Sequence, residues 1–299
     1  MSVEFCGLEL AHPIVNGSGT FDAIAARRAF GEELLRAFPF SAYVSKTITL
    51  EPRQGNPPPR LWEASAGLIN SIGLPNKGLE GYMREDLPQL VEILSGGAHP
   101  VPLITNVMGS TAEEIGRLLE RCEQRDEIAA VELNVSCPNV KTGLDIGADP
   151  RQLEEVVRAV RPRLSKPLIV KLTPNTADVA LCALAAQEAG ADGVSLINTL
   201  RATALAPGHR SSSAPQRWLG GGTGGLSGPG IRVVALAQVA SVAARVEIPV
   251  IGMGGVRTAQ DARELMALGA RLVGVGTESF RDPTAATRIA EGLGTPATA

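Results

Sequence analysis

Eight short, β-rich apolar runs, each followed by a longer amphipathic run, predict an α/β chain folded as a (β/α)8 TIM barrel. Two further observations agree. Polar residues gather at one phase, the C-terminal end of nearly every strand, and the two longest connections leave from those same ends. The strands are read at residues 13–16, 42–46, 103–107, 131–135, 168–172, 193–197, 249–252 and 272–276. Helical patterns follow at 24–38, 79–94, 111–125, 151–164, 176–189, 230–246, 258–268 and 284–291. Asp149-Pro150, Thr173-Pro174-Asn175-Thr176 and Ser110-Thr111 (with Glu113 and Glu114 behind it) are capping signals that set helix starts. Gly190 and Gly269 are read as C′ residues that end helices. Residues 3–10, with Gly7 in the middle, predict a small N-terminal β-hairpin covering the bottom of the barrel. Connections 47–76, with Pro52, Pro57, Pro58 and Pro59, and 199–229, rich in Ser and Gly, are too long for plain βα loops and read as lid loops at the C-terminal face. The whole chain, 1–299, is read as one domain.

With 299 residues, 44% of them hydrophobic and 20% charged, the chain has ample apolar material for a core. A net charge of -3 gives no electrostatic footprint for nucleic acid, and 3% aromatic content leaves few stacking platforms. No apolar run approaches membrane-spanning length, and Met1-Ser2-Val3-Glu4 does not open a leader, so no membrane partner and a cytoplasmic location are expected. The cysteines, Cys6, Cys122, Cys137 and Cys182, include no C-x-x-C pair, so neither zinc nor an iron–sulfur cluster is expected within this chain and no metal ligand is assigned. Cys122 and Cys182 sit in helical patterns and read as packing residues. His12, His99 and His209 have neither metal nor triad spacing.

The run Glu132-Leu133-Asn134-Val135-Ser136-Cys137-Pro138-Asn139 carries an apolar strand out into a turn holding amides, a proline and a thiol. A strand end needs none of these to fold, and Pro138 forbids a further ladder bond. A turn that happens to contain Cys is the bland alternative, but the other strand ends repeat the pattern. They present Asn16-Gly17-Ser18-Gly19, Ser45-Lys46-Thr47, Asn106, Lys171, Asn198-Thr199, Gly252-Met253-Gly254-Gly255 and Gly276-Thr277. Glycines after the seventh and eighth strands fit the phosphate site of this fold, where backbone N–H groups receive an anion. Gly220, Gly222 and Gly225 form a G-x-G-x-x-G that follows no strand, so a dinucleotide fingerprint is rejected. Lys46 and Lys171 in a barrel mouth need an anionic partner, or else one serves as a Schiff-base nucleophile. A flavin supplies such a partner through the negative charge of its reduced ring, with Lys171 as the expected contact; a Schiff-base lyase using Lys171 is the rival reading.

Several stretches taken together are specific. Lys46-Thr47-Ile48-Thr49-Leu50-Glu51-Pro52-Arg53-Gln54-Gly55-Asn56-Pro57, Asn70-Ser71-Ile72-Gly73-Leu74-Pro75-Asn76, Asn134-Val135-Ser136-Cys137-Pro138-Asn139-Val140-Lys141, Ile197-Asn198-Thr199 and Gly224-Gly225-Leu226-Ser227-Gly228-Pro229 resemble the dihydroorotate dehydrogenase family, in order and over nearly the whole chain. Cys137 in the turn is similar to the soluble class I enzymes; the membrane-associated class II carries Ser there. The continuation Val140-Lys141-Thr142-Gly143 is most similar to the B type, whose catalytic subunits pair with a second subunit holding FAD and a [2Fe-2S] cluster and pass electrons to NAD. An A-type homodimer using fumarate is the alternative within class I.

The resemblance implies oxidation of (S)-dihydroorotate to orotate in de novo pyrimidine (UMP) biosynthesis. Cys137 would remove the C5 proton while a hydride leaves C6 for N5 of FMN. It implies FMN contacts from Ser18, Lys46, Thr47, Asn106, Asn134, Lys171, Ile197, Gly228, Gly254, Gly255, Gly276 and Thr277. Substrate contacts are implied from Lys46, Asn70, Ser71, Ile72, Gly73, Leu74, Asn134, Asn198 and Thr199, whose amides suit the alternating C=O and N–H edges of a pyrimidine. The assembly implied is a homodimer that becomes a heterotetramer with the electron-transfer subunit. Leu144-Asp145-Ile146-Gly147 and the Ser/Gly-rich loop 201–222 depart from the family pattern, which bears on lid motion and partner docking.

Overall fold

The computed structural model describes residues 2–97, 99–135, 146–207 and 216–294. In chain order the strands are β1 (Val3–Phe5), β2 (Leu8–Leu10), β3 (Ile14–Asn16), β4 (Tyr43–Val44), β5 (Leu61–Ala64), β6 (Gly67–Asn70) and β7 (Leu103–Val107). They continue as β8 (Ile128–Asn134), β9 (Leu168–Lys171), β10 (Gly193–Leu196), β11 (Leu200–Ala202), β12 (Gly224–Ser227), β13 (Val250–Met253) and β14 (Leu272–Val275). Eight of them form one sheet in the order β3-β14-β13-β10-β9-β8-β7-β4, with every neighbouring pair parallel. The order follows the chain around a ring, which is the expected (β/α)8 barrel.

A side chain completes the seam between β3 and β4. Asn16 Oδ1 accepts from Val44 N at 2.8 Å, and Asn16 Nδ2 donates to Val44 O at 2.8 Å. A carboxamide presents the same donor and acceptor as a peptide group, so it stands in for one rung of the ladder. Both backbone groups are buried there, and leaving either unpaired would cost about 1–3 kcal/mol.

Alternation along the strands separates two cores. Ile14, Tyr43, Leu103, Val131, Leu168, Val194, Val250 and Val273 face the helices. Val15, Val44, Ile104, Ala130, Ile169, Ile251 and Leu272 fill the lumen with Phe5 and Leu10 from the β1–β2 hairpin. Cys6 (φ 49°) and Gly7 (φ 79°) turn that hairpin in the left-handed region, the geometry that matches strand twist. The hairpin closes the lower end as expected, and burying a side chain the size of Phe5 or Leu10 contributes about 1.5–3 kcal/mol.

The helix signals hold in most places. Thr111 Oγ1 accepts from Glu114 N, and Asp149 accepts from Arg151 N ahead of the helix Pro150–Val160. Gly190 (φ 97°) and Gly269 (φ 103°) follow the helices Val179–Glu188 and Ala259–Ala267. Two expectations shift. The run 24–38 breaks at Gly31 (φ 63°) into Ala23–Phe30 and Glu33–Arg36. The cap expected around Thr173–Thr176 is Asp178 instead, whose carboxylate accepts from Ala180 N and Leu181 N.

The two long connections are more than loops. They supply β5, β6, β11 and β12, which pair antiparallel as β11-β12-β6-β5 above the C-terminal end of the barrel. The glycines in β12 make this pairing fit: a Cβ on Gly225 would lie 1.8 Å from Thr199 Oγ1, and one on Gly224 would lie 2.3 Å from Asn70 O. Among the described residues, no helix is long and apolar enough to cross a membrane.

Candidate active site

A cleft of about 970 Å³ opens where the barrel strands end, between their exits and the small antiparallel sheet. Of the residues expected to hold a flavin, Ser18, Lys46, Thr47, Asn134, Lys171, Ile197, Gly228, Gly254, Gly255, Gly276 and Thr277 line it. Of those expected to meet substrate, Asn70, Ile72, Gly73, Leu74, Asn198 and Thr199 line the same space, together with Lys46 and Asn134. Two expected residues lie behind the lining. Ser71 is 0% exposed; it donates to Thr223 O at 2.7 Å and bonds Asn56 Nδ2 at 3.1 Å, which ties two loops together. Asn106 is also 0% exposed and donates to a neighbouring carboxylate. Cys137 lies outside the described residues; Val135, two positions before it, donates from its N to Lys171 O at 3.4 Å.

The end of the cleft beside β13 and β14 is built from glycine. Gly228, Gly254 and Gly255 have φ of 89°, 138° and 71°. A Cβ on Gly255 would stand 2.9 Å from both Gly228 O and Arg232 Cβ, and one on Gly254 would stand 2.7 Å from Ala235 Cβ. Asp261 anchors the far side of this loop. Its Oδ2 accepts from Arg257 N and Thr258 N at 2.9 Å, and its Oδ1 pairs with Arg232 Nε at 3.0 Å. Bare backbone held rigidly against a cleft suits an anionic phosphate. Gly255→Ala is therefore expected to cost about 1–3 kcal/mol in backbone strain and to weaken retention of a phosphate-bearing cofactor about tenfold, a change of about 1.4 kcal/mol. Fluorescence of released flavin reads the effect, and retention equal to the parent would remove this loop from the phosphate site.

Beneath the cleft the lumen is polar, and sheet register shows why. Asn106 pairs with Glu132, Asn134 pairs with Lys171, and Lys171 pairs with Ser195, so these inward side chains meet in two adjacent layers. Glu132 is 1% exposed. Its Oε1 accepts from Asn106 Nδ2 at 2.5 Å and its Oε2 accepts from Ser195 Oγ at 2.7 Å. Lys171 Nζ lies 3.7 Å from Glu132 Oε1. From sequence, the anionic partner expected for Lys171 is a flavin, and Glu132 has no expected role. A signal was present: Ala130, Glu132 and Asn134 recur at period two in an otherwise apolar strand, which puts the acid on the lumen side. Lys46 reaches the cleft across Gly19 (φ 72°), where a Cβ would come 2.8 Å from its Nζ.

Three thiols lie elsewhere. Burial, with Asp192 and Glu4 nearby, pushes Cys6 up to about 12. Burial likewise pushes Cys122 up to about 12 and raises Cys182. Both sit on buried helix faces, as expected of packing residues.

A glycine-built end, the two lysines Lys46 and Lys171, and the amides of Asn70, Asn134 and Asn198 give a cleft of this volume both anion-binding and hydrogen-bonding character. Fold and cleft together define a (β/α)8 barrel with a ligand cleft at the C-terminal ends of its strands, where enzymes of this fold place their chemistry. The family model for dihydroorotate dehydrogenase matches residues 1–296, and the chain belongs to that family. It is 44% identical to a relative from Geotalea uraniireducens (strain Rf4), across 99% of this chain and 92% of the relative. It is 44% identical to one from Desulforudis audaxviator (strain MP104C), across 98% and 91%, and 42% identical to one from Citrifermentans bemidjiense, across 97% and 90%. Each of the three is named dihydroorotate dehydrogenase B (NAD(+)), catalytic subunit.

Proposed function

We propose that this chain, as one FMN-binding domain, is the catalytic subunit of a B-type dihydroorotate dehydrogenase, oxidising (S)-dihydroorotate to orotate in pyrimidine biosynthesis. The observation that carries the reading is the cleft itself, where a glycine-built phosphate end, Lys171 and the amides of Asn70, Asn134 and Asn198 line one space. FMN, when bound, supplies the two-electron acceptor. The chain's residues do the rest. The three asparagines offer both donors and acceptors to the C=O and N–H edges of the pyrimidine and so fix its orientation. Thr199 and the segment 70–74 complete its surroundings, and the small antiparallel sheet lines the cleft beside them. Cys137 takes the C5 proton as thiolate. Lys46 and Lys171 place positive charge where electron density accumulates. Electrons then pass to NAD through a partner subunit carrying FAD and [2Fe-2S], two copies of each chain forming a heterotetramer around a catalytic homodimer.

The purified chain loaded with FMN tests this. Anaerobic dihydroorotate is expected to bleach the flavin, and an artificial acceptor to restore its colour, while NAD does neither without the partner. No bleaching would overturn the dehydrogenase reading. Efficient NAD reduction by the single chain would overturn the B-type assignment.

A further inference from the structure

We propose that Glu132 is a positioning residue that tunes the reduction potential of the flavin by holding Lys171 and withholding part of its charge. This rests on the flavin site proposed above and adds a residue to it.

A carboxylate 1% exposed is costly to bury unless its oxygens are paired, and here both are, through Asn106 Nδ2 and Ser195 Oγ. Those bonds fix the carboxylate from two different strands. The Lys171 ammonium is treated differently. At 3.7 Å from Oε1 it is close enough for strong Coulombic attraction, yet well beyond the 2.7–2.9 Å usual for a charge-assisted hydrogen bond. Glu132 thus restrains the ammonium without capturing its N–H groups, and Lys171 also lines the cleft. The arrangement serves two charge states. Beside a neutral ring, Glu132 is the counter-charge of the buried lysine. Beside a reduced, anionic ring it competes for the same cation and adds a repulsion of its own. Removing the carboxylate charge therefore favours reduction.

The structure also allows a clean variant. Asn106 Oδ1 is buried without a hydrogen-bond partner among the described residues. In Glu132→Gln the new amide N–H2 can donate to that oxygen once the Asn106 carboxamide turns over, and the new carbonyl keeps the Ser195 hydroxyl.

The test is an anaerobic reductive titration of the FMN-loaded protein. Glu132→Gln is expected to raise the equilibrium constant for two-electron reduction tenfold or more, a rise of about 30 mV in midpoint potential. In a Lys171→Met background the same substitution is expected to shift the potential by less than half as much, because the route through the lysine is gone. An unchanged or lowered potential in flavin-loaded Glu132→Gln overturns the proposal, as does an equal shift in both backgrounds. Glu132→Asp, which retracts the carboxylate by one methylene, should raise the potential in the same direction and serves if the amide variant does not fold; no rise there overturns the proposal equally. Failure of the parent chain to bind FMN is a different result, and it would overturn the flavin site itself.

Discussion

Replacing Cys137 with alanine is expected to lower dihydroorotate turnover about 10²–10⁴-fold, the usual contribution of a positioned general base, with FMN content unchanged. No other thiol is suited to deputise. Only a thiolate works as base, and burial holds Cys6 and Cys122 at about 12 and raises Cys182. Cys137→Ser adds a sign to the prediction. The base acts only when deprotonated, and a hydroxyl holds its proton far more tightly than a thiol. The serine variant should therefore lose most at neutral pH and recover in part as pH rises. Initial rates with an artificial acceptor across a pH series, beside the flavin spectrum of each sample, make the measurement. Turnover in Cys137→Ala matching the parent would remove this residue from the chemistry.

Lys171→Ala is expected to produce the second large effect, and it acts on two properties. Stability should fall by about 3–5 kcal/mol, because Glu132 is left as a buried carboxylate without its cation. Flavin retention and the rate of flavin reduction should fall with it, since the lumen loses a positive charge facing the cleft. The double variant Lys171→Met with Glu132→Gln separates the two effects. It removes both charges at similar volume, so most of the stability should return while flavin reduction stays slow. Denaturant titration reads the first property and stopped-flow reduction by dihydroorotate the second. Unchanged stability in Lys171→Ala would show that the 3.7 Å pair carries no weight in folding.

The barrel was legible because its physics is local. Parallel strands covered on both faces read as short apolar runs, and helices such as Ala112–Glu123 bury Ile115, Leu118, Leu119 and Cys122 at helical spacing. The cleft lining was legible for a related reason: a (β/α)8 order of elements dictates which strand ends share a face, so polar exits can be collected without knowing contacts. The small antiparallel sheet was hidden. Its strands are short and rich in glycine, and Asn70 meets Gly225 across a sequence separation of 155 residues, with Asn70 Nδ2 donating to Gly225 O.

From the order of residues alone followed the barrel, the phase of its polar exits, the plug hairpin and the family. Folding in three dimensions settled which side chains meet. Asn16 closes the seam at Val44, Ser71 turns from the cleft toward Thr223, and Glu132 stands between Asn106, Ser195 and Lys171. The reason is that alternation along a strand assigns a side chain to one face, whereas its neighbours on that face depend on register with other strands. That register is set by packing among residues far apart in the chain.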